Sequence, residues 1–312
     1  MLATWLSSCL LYLSHPACWQ AEDTGGLAWT ARYGSVVFVP AAPAAVREAA
    51  SFVSGGLNEV GLTCDQQTLT QTVYPARMHT AADLSVNFFC NWALSGHATA
   101  AQVTAALAGD GVNVWHGLID VGGAHFSIRD AAGGAIVVEF LAGATQVHND
   151  SLGLLTNEPP YAFHVANVAH QAWKQALARP AVAVPGAFYP DERLLRLHML
   201  RAGLPPAADR QQALMNAAAL LDSVTVPPGA QPGTDTGAGG GEGAAGDHTH
   251  YGILYDHADA TLYWRTRHNH NLQRLRLADA RLSAGEAPRH LPLNADNGLP
   301  WYSDAAGARW QS

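Results

Sequence analysis

Apolar residues fall along this chain in short runs of two different periods. "GSVVFVP" (34–40) is β-branched and closed by proline, and predicts a buried strand. "GLTCDQQTL" (61–69) alternates only in part and predicts a weaker one. Thr80 opens a capping-box pattern with Asp83, and Leu84, Phe88 and Trp92 follow at helical spacing, which predicts a helix there. A second helix is expected over 98–108. "AHFSIRD" and "AIVVEFL" flank Ala131-Ala132-Gly133-Gly134 and predict a hairpin around a Gly-containing turn, with "ATQVH" as a third strand. Helices are expected at 161–177, at 190–202 with the leucine stripe of "DERLLRLHML", and at 205–223. "YGILYDH", "ATLYWRT" and "LQRLRLA" read as a meander that needs a sheet to join. Before the meander, "PPGAQPGTDTGAGGGEGAAGD" (227–247) has no apolar period and reads as a flexible insertion. Strands, helices, hairpin, helices, strands: segregation of this kind predicts an α+β protein, with helices covering antiparallel sheet.

Composition narrows the class. The 312 residues are 48% hydrophobic and 13% charged, which is globular material with enough chain for one large core or two modest domains. Net charge is −8 and no Lys/Arg run stands out, which argues against nucleic acid as the partner. Apolar stretches are too short for a membrane span. The N-terminal "MLATWLSSCLLYLSHPACWQA" has an apolar centre and small residues near its end, like a secretory signal, but lacks the positive charge after Met1. It favours a secreted or extracytoplasmic protein only weakly.

Most candidate chemistry has an ordinary explanation when taken alone. Cys9, Cys18, Cys64 and Cys90 form no C-x-x-C pair; two disulfides have three pairings, and Cys64 and Cys90 read as buried apolar filler. His248-x-His250 and His268-x-His270 have the spacing of strand-borne metal ligands, but without an acidic or thiol third ligand they read as solvated histidines. There is no P-loop, G-x-G-x-x-G or G-x-S-x-G. Asn157, ahead of two prolines and a helix, is by local chemistry a turn residue, and Arg193 a solvated helix residue.

Several stretches together change that picture. "GLNEVGLTCDQQTL", "HFSIRDAAGGAIVVEF", "LLTNEPPYAFHVANV", "VPGAFYPDERLLRLHML", "SVTVPPG" and "YWRTRHNHNLQRL" occur in one order. In that order they resemble the choloylglycine hydrolases, or linear amide C–N hydrolases, which include penicillin V acylases and bile salt hydrolases. The resemblance runs from about Trp29 to Leu277 and implies the αββα four-layer sandwich of N-terminal nucleophile hydrolases. It also implies an N-terminal cysteine whose thiol attacks an amide carbonyl while its own α-amine serves as base. It places the oxyanion-stabilising Asn on Asn157 and the later active-site Arg on Arg193. The position that is Asn in bile salt hydrolases and Tyr in penicillin acylases is Thr68, which suggests that neither substrate is the natural one. No cofactor and no metal are implied. The partner implied is a small acyl-amide substrate. The oligomeric state is left open, a homo-oligomer included.

The front of the chain departs from the resemblance. "TGGLAW" (24–29) stands where the family has an Arg and an acid: Gly25 or Gly26 replaces the Arg and Ala28 the acid. Counting back by the family spacing reaches Cys9; Cys18 leaves no room for a strand. Three explanations compete: Cys9 exposed by cleavage after Ser8, a non-catalytic relative that binds a ligand or partner, or a misassigned start on a true family member. The division expected is an atypical segment, 1–28, and a single domain, 29–312, carrying the insertion at 229–247.

Overall fold

The computed structural model describes residues 9–14, 18–20, 26–40, 53–109, 111–117, 122–177, 183–230, 248–280, 282, 289–293 and 299–300. Most of the Gly-rich insertion and Gly25 lie outside these residues.

The main sheet has eight strands: β1 (Cys9–Ser14), β4 (Ser35–Pro40), β5 (Gly55–Asn58), β6 (Thr63–Thr68), β9 (Ala124–Arg129), β10 (Ala135–Leu141), β11 (Ala144–Asn149) and β15 (Arg289–Pro292). Their spatial order is β11-β10-β9-β6-β5-β4-β1-β15, and every neighbouring pair is antiparallel. Short strands β2 (Cys18–Gln20) and β3 (Ala28–Thr30) pair with each other, and β7 (Asp83–Ser85) runs parallel to β8 (Asn113–Trp115).

One face of the main sheet carries Val37, Val39, Cys64, Phe126, Ile128, Val138 and Phe140. These pack with residues of α1 (Phe89–Gly96) and α2 (Ala100–Leu107) in one buried cluster. The other face carries Val36, Phe38 and Leu57, which meet Leu262 and Trp264 of a second sheet. That sheet is the expected meander: β12 (Tyr251–Asp256), β13 (Thr261–Thr266) and β14 (Gln273–Arg276) in sequence order. Outside it lies α5 (Arg210–Val224), whose Leu221 comes so close to Gly252 of β12 that a Cβ there would meet Cδ2 at 2.7 Å. Helices α3 (Tyr161–Leu177) and α4 (Pro190–Gly203) pack Tyr161, Val168, Leu194 and Leu195 against Val137 of β10. The layers are therefore helix, sheet, sheet, helix, as the resemblance implied.

Three expectations are corrected. Thr80 and Asp83 do bond as a capping pair, with the Thr80 N–H donating to Asp83 Oδ2 at 3.0 Å. No helix starts there: the pair closes a turn, Asp83 opens β7, and α1 begins only at Phe89. Parallel pairing with β8 wins over the local signal. The helix expected from residue 205 begins at Arg210, after Asp209, whose side chain caps it by accepting from Gln212 N at 2.7 Å. Cys64 and Cys90 are fully buried, but they are joined by a disulfide between β6 and α1, with Cα atoms 5.5 Å apart.

The quoted "GLNEVGL" stretch turns out to be structural. Asn58, wholly buried, donates to the carbonyls of Leu94 and His97 and accepts from the N–H groups of Val60 and Leu62. Glu59 accepts from Gly34 N at 2.8 Å. Gly61 has φ +87°, and a Cβ there would strike the His257 carbonyl oxygen at 2.3 Å, so only glycine closes this turn. The motif thereby ties the β5–β6 turn to α1, to β4 and to the second sheet.

Candidate active site

A cavity of about 540 Å³ opens between the two sheets. Its floor is one end of the main sheet: Phe38, Gly55, Asp65, Gln66, Gln67, Thr68, Ser127 and Arg129. Leu154, Leu155 and Asn157 form one wall, and the stretch from His248 to Tyr255 forms another. A sheet covered on both faces should read as continuous apolar sequence. β6 breaks that rule with Asp65, Gln66 and Gln67, all of which line the cavity.

Asn157 sits in the loop between β11 and α3, and two interactions fix it. Arg193 Nη2 donates to Asn157 Oδ1 at 2.8 Å, and His164 Nε2 lies 3.1 Å from the Asn157 backbone oxygen. A guanidinium only donates, so the amide oxygen must face Arg193. The Asn157 NH2 group is then left without a partner among the described residues, on a residue that lines the cavity. Arg193 is held in turn by Nε donating to the Phe188 carbonyl at 3.0 Å. Its reading as a solvated helix residue is therefore corrected. Burial, with the nearby His125 adding to it, pushes the His164 imidazole below its ordinary range despite the bond to Asn157.

Behind the loop is a buried polar network that the sequence did not reveal. His125 Nε2 lies 2.7 Å from the Thr156 carbonyl oxygen, and its Nδ1 lies 3.0 Å from Glu139 Oε1. Both side chains are fully buried. The same Glu139 oxygen accepts the Tyr161 N–H at 2.9 Å, satisfying an orphan donor at the start of α3. Burial alone would raise the Glu139 carboxyl, but the bonds from His125 and Tyr161 and the imidazoles of His125 and His148 outweigh it and hold it below its ordinary range. One carboxylate thus anchors both ends of the segment from Thr156 to Tyr161, with Asn157 between them. The signal available was His125 and Glu139 on adjacent strands of otherwise apolar runs.

The other candidates fall as follows. Thr68, the last residue of β6, lines the same cavity as Asn157. Cys9 is the first residue of β1; its backbone pairs opposite Pro40, two residues along β4 from Phe38 of the cavity floor. The Cys9–Ser14 stretch is thus a strand between β4 and β15. Ala28 opens β3 and is exposed. His248 and His250 are not solvated: both are buried, their rings are 4.3 Å apart, and they line the cavity. His268 and His270 are exposed as expected. Among the described residues, no group of three or more His, Cys, Asp or Glu side chains is placed to hold a metal ion.

Comparison with known proteins agrees with this architecture. Among solved structures, penicillin V acylase from Agrobacterium tumefaciens superposes with a TM-score of 0.75 at 19% identity, covering 94% of this chain and 85% of that one. A mutant of conjugated bile acid hydrolase from Clostridium perfringens gives 0.74 at 18% identity, covering 93% and 90%. In sequence, a bile salt hydrolase/transferase from Clostridium perfringens is 25% identical over 172 residues, 47% of this chain and 51% of that protein. The chain thus spans about half the length of that curated relative. Residues 44–290 match the linear amide C–N hydrolases of the choloylglycine hydrolase family. With that match covering most of its length, on an αββα fold, the chain belongs to the choloylglycine hydrolase family.

Proposed function

We propose that this protein hydrolyses a linear, non-peptide amide of a small acylated amine or amino acid, with Cys9 as N-terminal nucleophile. In this reading Cys9 becomes the first residue by cleavage after Ser8. An α-amine has a pKa of roughly 7.7–8.0 and so can take the thiol proton near neutral pH. The thiolate attacks the amide carbonyl; the oxygen gains charge and is met by the Asn157 NH2 group and a backbone N–H. The C–N bond breaks, the departing amine takes the proton, and water then hydrolyses the thioester.

The observation that carries this reading is the Asn157–Arg193 pair. Arg193 fixes the amide so that its donor end is left for a ligand in the cavity. Arg193 also brings positive charge close to the site where the oxyanion develops. In this reading Thr68, which lines the cavity floor, contacts the substrate at the position that is Asn in bile salt hydrolases and Tyr in penicillin acylases.

A second reading, a non-catalytic member that binds a ligand or partner, is favoured by the front of the chain. Ala28 has no carboxylate with which to orient an α-amine, and the family match starts only at residue 44. Amine release from a panel of acyl amides, by the purified protein beside Cys9→Ala, tests the choice. The panel includes a conjugated bile acid, penicillin V and N-acyl amino acids. Turnover lost in Cys9→Ala is the expected result; equal turnover by both removes Cys9 from the mechanism, and turnover by neither favours the binding protein.

A further inference from the structure

The cavity floor carries a second polar group that the amide chemistry does not use. Arg129, the last residue of β9, and Asp65 of β6 are diagonal neighbours on one face of the main sheet: Asp65 pairs with Ser127, and Thr63 with Arg129. Both line the cavity. Arg129 donates through Nη2 to Asp150 at 2.6 Å and through Nε to Ser127 Oγ at 3.3 Å. Its Nη1 has no partner among the described residues, and the side chain is 31% exposed. Nη1 stands beside the cavity-lining Gly153, 3.8 Å from where a Cβ would project.

Asp65 accepts from the Tyr255 hydroxyl at 2.8 Å across the gap between the sheets. Gly55, opposite it on β5, makes room: a Cβ there would meet Asp65 Oδ1 at 2.5 Å. Among the described cavity-lining residues, Arg129 is the only Lys or Arg. Asp150, its buried partner, is locked by the Tyr161 hydroxyl at 2.9 Å and does not line the cavity.

We infer that Arg129 and Asp65 form a carboxylate-binding subsite, in which Arg129 Nη1 donates to the anionic end of an acyl-amide ligand and the neighbouring Asp65 carboxyl meets the same end. The inference rests on the proposal that this cavity takes an acyl amide, and it selects N-acyl amino acids over neutral N-acyl amines within that class. Asp65 suits the role because burial holds its carboxyl up at about 7, against the opposing bond from Tyr255 and the charge of Arg129. The titratable or charged groups facing it are Arg129 from β9, Tyr255 from β12, and His248 and His250 across the cavity. A ligand carboxylate drawn to Arg129 favours the protonated form further, so binding near neutral pH takes up a fraction of a proton.

Titration calorimetry with N-octanoylglycine and N-octanoylglycinamide tests this, in a Cys9→Ala chain so that turnover by Cys9 adds no heat. The acid is expected to bind roughly tenfold or more tightly than the amide, the range of a charge-assisted hydrogen bond. Its enthalpy at pH 7 is expected to differ between phosphate and Tris buffers, reporting proton uptake. Asp65→Asn, which can still accept from Tyr255, is expected to abolish that buffer dependence and retain part of the preference. Arg129→Gln with Asp150→Asn, which leaves no unpaired buried charge, is expected to abolish the preference. Equal affinity for the two probes, binding of neither, or no proton uptake by the parent chain overturns the inference. Since binding is read without turnover, failure here leaves the hydrolase proposal standing, and an inactive chain can still show the subsite.

Discussion

Arg193, on a helix 36 positions along the chain from Asn157, takes the oxygen of its side-chain amide and so fixes which way the NH2 group turns. Asn157→Ala removes the donor and leaves the backbone loop in place; kcat is expected to fall by about 10²–10³ in steady-state assays of amide hydrolysis, with a smaller change in KM. Arg193→Met is expected to lower kcat as well, because the amide is then free to rotate. Asp65 makes a separate prediction at this scale. Its carboxyl is raised from 3.8 to about 7, first by burial, so the folded protein keeps a proton that the unfolded chain has already released. The resulting stabilisation is complete below about pH 4 and is lost as pH rises through about 7. Melting curves from pH 4 to 8 are expected to show Asp65→Asn flatter than the parent across that range and more stable at its upper end.

At the scale of elements, the periodic segments were readable and the irregular ones were not. Helix α3 lies at 161–177 as its pattern predicts, because its apolar stripe faces a core wherever it docks. β5, with Gly-Gly-Leu-Asn, carries no strand signal; it is a strand because only glycines fit between β4, α1 and Asp65. The Thr80–Asp83 pattern misled because a capping pair satisfies the same donors at the head of a turn as at the head of a helix. The Glu139 network is invisible to any local pattern, since His125, Thr156 and Tyr161 converge on it only in the folded chain. Glu139→Gln is expected to cost about 3 kcal/mol in denaturant unfolding, the scale for removing one member of a buried pair. Because the Glu139 carboxyl is held below its ordinary 4.5, its contribution is present above that pH and lost as pH falls through the lowered value. The variant is therefore expected to lose that part of the acid sensitivity.

Across the whole molecule, the four layers follow from segregated strands and helices, and the cavity forms where the two sheets part around the polar end of β6. The Cys64–Cys90 disulfide ties that strand to the helical layer beneath it and closes a loop with a separation of 26 residues. Composition could not choose this pairing, because two buried cysteines look the same whether bonded or not. Opening it by Cys64→Ala with Cys90→Ala is expected to cost about 3 kcal/mol in reversible unfolding, and thiol titration of the denatured, unreduced protein should find neither sulfur free. The central claim, however, concerns the other end of the chain, where β1 brings Cys9 opposite Pro40 and the family pattern of Arg and acid is missing. Its most direct test is the intact mass of the purified protein. A mature chain beginning at Cys9, lighter by Met1 to Ser8, is the result expected of an N-terminal nucleophile. A chain that retains Met1, with Cys9 locked in a peptide bond and no free α-amine, would contradict it.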